Sequence, residues 1–585
     1  MKKQYAFLFL FLIAMMASVS AQSTTDTVYI PGAQSLNISN IINADTSVTA
    51  PRVYVLDRGA IYYIDRAFEL THSSKFIAKG DATKRPPVLA PAIRADDTSE
   101  EWYFKMIKQN ISLEIHNLYL LSLRSDLKTL GWSRAIHIGA SNTSLKLRGV
   151  IFDGWTEAGI RVDGADFVKM DVQDCHFRNF THGSSYFGGQ PFLSNHNDHP
   201  DTTIFINNTF FACNSYLFSV RGLGPKSVFD HNTIVYTAVN SLLTRQADNL
   251  WVNNNIFYAA HAWGGDPEQR IGAWFLNYPD TVTSSIILFR ENIPYYSDYY
   301  AAGPEGHYTD LGLTYDPTKK VTVIRNNVHF NPEKLTKFYS DWNDTVKAYD
   351  SVEVISGPKQ YLKRELKLAP WLYDFGKMVR DSMTNPSSRW YSPTVNLQDA
   401  MEVDPQFTDA KVVGHIDSLV NYVKRIATRK LDNRWDYEFN FPPKWPLQEN
   451  LAYSNTSLIH GGTDGYALGD LNWFPDQKAT YVVGVETISK NVPEQYKLSQ
   501  NYPNPFNPET KIEFNIAKEG YVKVVVYNIL GQKIRTLLNQ DFKAGSYSVT
   551  WNGKDDFGRQ VSTGAYLYSL ETESFKSTKK MILMK

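Results

Sequence analysis

A disulfide scaffold is absent from this chain, because its 585 residues contain only two cysteines, Cys175 and Cys213. One bridge at most cannot organise a fold of this length. The pair reads either as a link between neighbouring turns of chain or as two small buried hydrophobes. An excess of one charge is also missing: Lys plus Arg and Asp plus Glu number 60 each. No field is available to wrap a polyanion, so nucleic acid is excluded as an expected partner. After residue 16 no apolar run approaches the roughly 18 residues of a membrane-spanning helix. Phosphate loops, nucleophile elbows and cysteine-rich zinc spacings are missing as well.

What is there begins at the N-terminus. Lys2 and Lys3 precede an unbroken apolar run over residues 6–16, and Val19-Ser20-Ala21 supplies small residues at the −3 and −1 positions. That pattern predicts a secretory signal peptide over 1–21, cleaved after Ala21. Aromatic content is 14%, with 35 Tyr and 13 Trp. Flat apolar rings suit sugar binding and a large β core equally.

A short unit recurs through the first half. It reads Ile115-His116-Asn117-Leu118, Leu147-Arg148-Gly149-Val150-Ile151-Phe152 and Val172-Gln173-Asp174-Cys175-His176-Phe177. It continues as Ile206-Asn207-Asn208-Thr209-Phe210-Phe211, Phe229-Asp230-His231-Asn232-Thr233-Ile234 and Val252-Asn253-Asn254-Asn255-Ile256-Phe257. Looser copies follow at Phe289-Arg290-Glu291-Asn292-Ile293 and Ile324-Arg325-Asn326-Asn327-Val328. Aligned on Asn208, the copies fall at 117, 149, 174, 208, 232, 254, 291 and 326. The tight spacings are 25, 24 and 22 residues, and the rest, 32 to 37, read as the same unit with an inserted loop. Such a period without helical spacing predicts a solenoid; propeller blades need about 40 residues each. One coil cannot bury its inner face, but stacking at about 4.8 Å lets each coil cover the next. The recurring Asn is expected where the chain turns, in the left-handed conformation and bonded to its equivalent one coil away. This Asn ladder resembles that of the right-handed parallel β-helix family.

The opening coils are expected around Tyr54-Val55-Leu56-Asp57-Arg58-Gly59, Phe68-Glu69-Leu70 and Lys75-Phe76-Ile77, with a capping turn over 35–44. From about 331 the pattern changes. Residues 332–338 and 415–429 have helical spacing. Asp404-Pro405-Gln406-Phe407 resembles an element that closes bacterial β-helices, and Leu468-Gly469-Asp470-Leu471-Asn472-Trp473 reads as a last coil. The solenoid is therefore expected over 22–475, with 331–475 as a loop- and helix-rich cap; a separate helical domain is the alternative. Residues 476–496 read as a linker.

The tail carries the most specific signal. It contains Leu498-Ser499-Gln500-Asn501-Tyr502-Pro503-Asn504-Pro505-Phe506-Asn507-Pro508, then Val524-Val525-Val526-Tyr527-Asn528-Ile529-Leu530-Gly531 and Tyr547-Ser548-Val549-Thr550-Trp551. Gly564-Ala565-Tyr566-Leu567-Tyr568 and Lys579-Lys580-Met581-Ile582-Leu583-Met584-Lys585 end it. Period-2 alternation between Gly and Asp punctuation predicts a small antiparallel β-sandwich over 497–585. The segment resembles the type A sorting domain of the type IX secretion system. That resemblance implies export across a Gram-negative outer membrane by the type IX machinery, removal of the domain, and attachment to surface lipopolysaccharide or release. The fold class expected for the whole chain is all-β: a right-handed parallel β-helix with inserted loops and helices, followed by a β-sandwich.

Secreted β-helices include polysaccharide lyases, hydrolases and sugar-binding adhesins. A lyase needs a base and cations that neutralise a uronate carboxylate. Arg221 and Arg245 are 24 residues apart, one coil, and Lys226 lies nearby. The stretch is similar to the lyase family of chondroitinase B and alginate lyases, where a basic pair sits on adjacent coils. It departs from that family in having Arg221 where a Lys base is expected, and Tyr216 and Leu217 where acidic calcium ligands are expected. A surface ladder of two arginines is the alternative reading. His196, Asp198, His199 and Asp201 form a ligand-dense loop, read either as a divalent-cation site, calcium for example, or as a solvated turn. Asp230 and His231 are adjacent on a strand and point to opposite faces, so they are not expected to act together. The clustered aspartates of a pectin hydrolase are not found. The expected function is binding of extracellular polysaccharide by a secreted or surface-attached monomer, with lyase action on uronic-acid glycans as the alternative.

Overall fold

The computed structural model describes residues 27–45, 51–182, 188–194, 198–238, 241–247, 249–262, 287–289, 316, 318, 320–347, 368, 384–387, 391–427, 434–478, 481, 485–489 and 493–584, the last apart from 508, 519, 543, 552, 554, 556–560 and 573. It divides into two compact units, residues 1–461 with 468–473, and 462–467 with 474–585.

The first unit is a parallel β-helix with three sheets of eleven, eight and nine strands among the described residues. One coil visits each sheet in turn. Asp166–Gln173 lies in the eleven-stranded sheet, His176–Phe180 in the nine-stranded, Gln190–Ser194 in the eight-stranded, and His199–Ile206 returns to the first. Every pairing in these sheets is parallel, as the crossover geometry of such coils requires. Inward residues stack coil on coil. Phe152 and Phe177 stack with nearly parallel rings 4.7 Å apart, and Phe177 meets Phe210 at 5.0 Å. That is the strand spacing itself, so each ring covers the one below. Burying one such ring contributes about 1.5–3 kcal/mol.

The asparagine ladder is present, and it corrects the sequence alignment by one residue in part. Asn208, Asn232, Asn255 and Asn327 are buried and joined side chain to side chain at 3.0, 3.0 and 2.9 Å. Each amide nitrogen also donates to a backbone carbonyl, as Asn232 does to Phe205 at 3.0 Å. The residue before each rung carries the left-handed backbone: Asn207, His231, Asn254 and Asn326, at φ between 49 and 56°. Asn117, Gly149 and Asp174 occupy the same left-handed position in earlier coils. The turning position bonds between coils as well: Asn254 donates to Asp230 at 3.0 Å and accepts from Asn326 at 2.9 Å, a second, partly buried row beside the buried rungs. The copy at 290–293 lies outside the described residues.

At the N-terminal end, Gly32–Gln34 and Ile38–Asn43 are short helices whose Ile38 and Ile42 enter the core, closing its open edge. At the other end, Thr394–Leu397 adds the eleventh strand and Met401 bridges to Val328. Helices Glu333–Lys347 and Ile416–Ala427 lie in the segments with helical spacing. Residues 468–473 are not a last coil. They run along the flank of earlier coils: the Gly469 amide donates to the Asn254 carbonyl at 2.7 Å, and the Trp473 indole donates to Thr209 at 2.8 Å. Residues 435–449 form a strap over the outer face of the nine-stranded sheet at His176–Phe180 and Thr209–Cys213, and residues 412–415 with 469–470 cover Thr233–Thr237, so these strands are buried on both faces. Cys175 and Cys213 are free and buried, their thiols pushed up by burial, so the bridge reading falls.

The second unit contains two four-stranded antiparallel sheets among its described residues. Its core is Trp551, Phe514, Tyr568 and Leu583, and Tyr568 donates to the Ser499 carbonyl at 2.8 Å. Among the described residues no helix is long and apolar enough to cross a membrane.

Candidate functional site

On the eight-stranded sheet the register aligns Glu69, Lys105, His137, Arg161 and Leu193. Trp102 begins the same strand as Lys105, because a carboxylate-rich loop ends there and an aromatic fits a half-buried sheet surface. Its ring has the Arg134 guanidinium at 4.3 Å, the Lys105 ammonium at 4.9 Å and the His137 ring at 4.8 Å. Arg134 is held by a bidentate pair with Glu157 at 2.7 and 2.8 Å, and Arg161 reaches the same carboxylate at 2.8 Å. Burial, aided by Arg134, pushes His137 down to about 4, so its ring is neutral at ordinary pH. Its Nδ1 is buried without a hydrogen-bond partner.

Beside Trp102 opens a pocket of about 560 Å³, lined by Ser99, Glu100, Glu101, Trp102, Lys105 and Arg124 among others. That lies within the size range of small-molecule sites. Glu101 Oε1 accepts the backbone amides of Gly131 and Trp132 at 3.2 and 3.4 Å, fixing the loop opposite. Glu100 pairs with Arg94 at 2.9 Å. Arg124 is bound by Asp97 and, at 2.8 Å, by Asp126. Hydrogen bonds from Arg124 and Lys128 hold the Asp97 carboxyl down to about 2. Sequence reasoning missed this site. The available signal was Glu100-Glu101-Trp102, two carboxylates running straight into an exposed-sheet aromatic.

Arg221 and Arg245 lie on neighbouring strands, Phe218–Gly224 and Leu242–Ala247, where Val220 pairs with Thr244. A register irregularity follows Val220, and the two arginine side chains lie outside the described residues. Lys226 opens a strand of a different sheet, Lys226–Asp230, and its exposed ammonium stands 5.9 Å from the Trp251 ring. It is therefore separated from the arginines by the turn between sheets. Of the ligand-dense loop, His196 lies outside the described residues. Asp198 is buried and accepts the Gly164 amide at 2.7 Å. His199 pairs with Asp166 at 2.7 Å, and Asp201 faces Lys169 at 3.7 Å. These three side chains are engaged by the preceding coil, and no group of three His, Cys, Asp or Glu able to hold a metal occurs among the described residues. The donor set does not fit calcium, which takes six to eight oxygens.

A second ionic cluster is structural. Arg178 is buried between Asp153, at 3.5 Å, and Glu449, at 3.0 Å, and His176 meets Glu449 at 3.1 Å. Burial raises the Asp153 carboxyl. Burial opposes ionisation of Glu449 too, yet Arg178 and His176 hold it down to about 2. The cluster ties the strap to the coils, and its four residues are buried.

Residues 500–584 match the family model described as the secretion system C-terminal sorting domain. The chain is therefore a secreted or cell-surface protein of a Gram-negative bacterium, carrying a handle for type IX secretion machinery. Solved structures with local similarity are latent PorU from Porphyromonas gingivalis (19% identity, 15% of this chain and 9% of that one, TM-score 0.14) and PorZ from the same organism (16%, 16% and 13%, TM-score 0.12). FlgD from P. aeruginosa is 28% identical over 13% of this chain and 57% of its own, with TM-score 0.11. The chain thus spans less than two thirds of each. No curated protein matches it.

Proposed function

We propose that the exported protein binds extracellular polysaccharide, and that the pocket beside Trp102 is where a sugar sits. The observation that carries this reading is an open cavity whose wall combines an aromatic ring, carboxylates, a hydroxyl and an ammonium, the mixture that recognises alternating apolar and hydroxylated sugar surfaces. The secretion handle puts that surface where such polymers are. In this reading residues 1–21 direct the first membrane crossing, and the solenoid over 22–475 works as a monomer after the sorting domain is removed. A glycan array on the full-length protein tests it: binding should fall at least tenfold in Trp102→Ala, and unchanged binding sinks the assignment.

A second reading, a polysaccharide lyase using Arg221, Arg245 and Lys226, is favoured by the pairing of the strands that carry the arginines. It requires an unsaturated uronate product, read by ultraviolet absorbance, and loss of turnover in Arg221→Ala and Arg245→Ala.

A further inference from the structure

The Trp102 pocket is lined by charges of both signs. Two carboxylates, Glu100 and Glu101, face two cations, Lys105 and Arg124, so the lining carries no net charge. Arg124 is already saturated by Asp97 and Asp126, and Glu100 by Arg94 and the Trp102 amide at 3.2 Å. Arg134 is committed to Glu157. His137 adds no charge, since burial keeps its ring neutral. What remains for a ligand is a short set. Glu101 keeps one carboxylate oxygen beyond the one that holds the Gly131 and Trp132 amides. Lys105 makes no ion pair with a described residue, its ammonium lying against the Trp102 ring. The Ser99 hydroxyl is buried with no hydrogen-bond partner.

We propose that this pocket takes a neutral sugar unit of a polysaccharide, with Glu101 accepting hydroxyl protons, Lys105 and Ser99 donating to hydroxyl or ring oxygens, and Trp102 supplying the apolar wall. The inference rests on the polysaccharide reading above. A uronate fits worse. Its carboxylate would gain one ammonium and meet two carboxylates, and like charges in a partly desolvated pocket repel. A neutral pyranose turns the same groups to use, because a carboxylate oxygen accepts hydroxyl donors and an apolar sugar face covers the indole.

The test measures binding of full-length protein to a neutral β-glucan, a xylan and a mannan, and to polygalacturonate and alginate, at about 20 and about 500 mM salt. The expected result is affinity for at least one neutral polymer that changes less than about twofold with salt. Affinity should fall about tenfold in Glu101→Gln, which keeps an acceptor for the Gly131 and Trp132 amides and so spares the loop. Lys105→Ala should weaken it too, with the melting temperature unchanged. Tighter, salt-sensitive binding of the acidic polymers would overturn the neutral assignment and leave the polysaccharide reading standing. Neutral binding indifferent to Glu101→Gln and Lys105→Ala would place the sugar elsewhere and overturn the inference. Binding of no polymer in either class would remove the polysaccharide reading itself.

Discussion

The β-helix and the C-terminal sandwich bury their strands by different means. In the sandwich, Thr510–Ile516 alternates buried and partly exposed residues, and Lys576–Leu583 puts Lys576, Thr578, Lys580 and Ile582 outward. One face meets the core and one meets water. In the β-helix, Thr209–Cys213, Thr233–Thr237 and His176–Phe180 are buried throughout. Their inner face stacks on the neighbouring coil, and their outer face lies under chain 170 to 260 residues away in sequence, including the Tyr437 carbonyl on Arg178 and the Val412 carbonyl on Tyr236. The sandwich is stabilised mainly by contacts its own short sequence supplies. The solenoid depends on a distant strap, and the strap depends on ion pairs that are costly to break.

The comparison breaks most sharply at Glu449. Glu449→Ala leaves Arg178 buried beside Asp153 alone, at a cost of about 3–5 kcal/mol. In calorimetry of the full chain, the solenoid transition should drop by several degrees and the sandwich transition stay. A common shift of both would show that the two units do not unfold separately. Trp551→Ala is the mirror experiment, expected to cost the sandwich about 3–5 kcal/mol and leave the solenoid in place.

Asn232→Ala should come next. It removes the acceptor of the Asn208 side-chain and backbone amides and the donor to the Phe205 carbonyl, so about 1–3 kcal/mol is lost for buried groups left unbonded. Native-state hydrogen exchange should rise in the flanking coils and not in the sandwich. Gly154→Ala is subtler. Its φ is +81°, and a Cβ would stand 2.1 Å from Phe439, so the strap must lift. Faster proteolysis within 434–450 is the expected sign, and unchanged cleavage would mean the strap gives way without opening.

Acid should separate the units more gently. Glu449 has a folded value near 2 against an ordinary 4.5. A lowered carboxyl contributes stability that is complete above 4.5 and is lost as pH falls toward 2. The raised Asp153 carboxyl works in the opposite sense, gaining stability on protonation. The net solenoid melting temperature should therefore decline between pH 4.5 and 2, and Glu449→Gln should flatten that decline.

The repeat was legible because one coil's inner face needs apolar residues at a fixed interval, and Phe152, Phe177 and Phe210 supply them. The ladder's register was only partly legible. Asn207-Asn208, Asn254-Asn255 and Asn326-Asn327 are doublets, and asparagine suits both the left-handed turn and the buried rung. Both members of a doublet bond between coils, as Asn326 does to Asn254, and nothing in a single chain tells which member forms the buried row. The pocket was not legible, since Trp102 and Arg134 become neighbours only when one coil settles on the next.

Sequence alone determined the solenoid, the sandwich and the secretion handle, because local periodicity and turn residues act over a few residues and leave a direct trace. Tertiary structure decided which asparagines form the buried row, where residues 435–449 and 468–473 lie, and what lines the Trp102 pocket. Those depend on contacts between segments far apart in the chain, whose free energy no local pattern records.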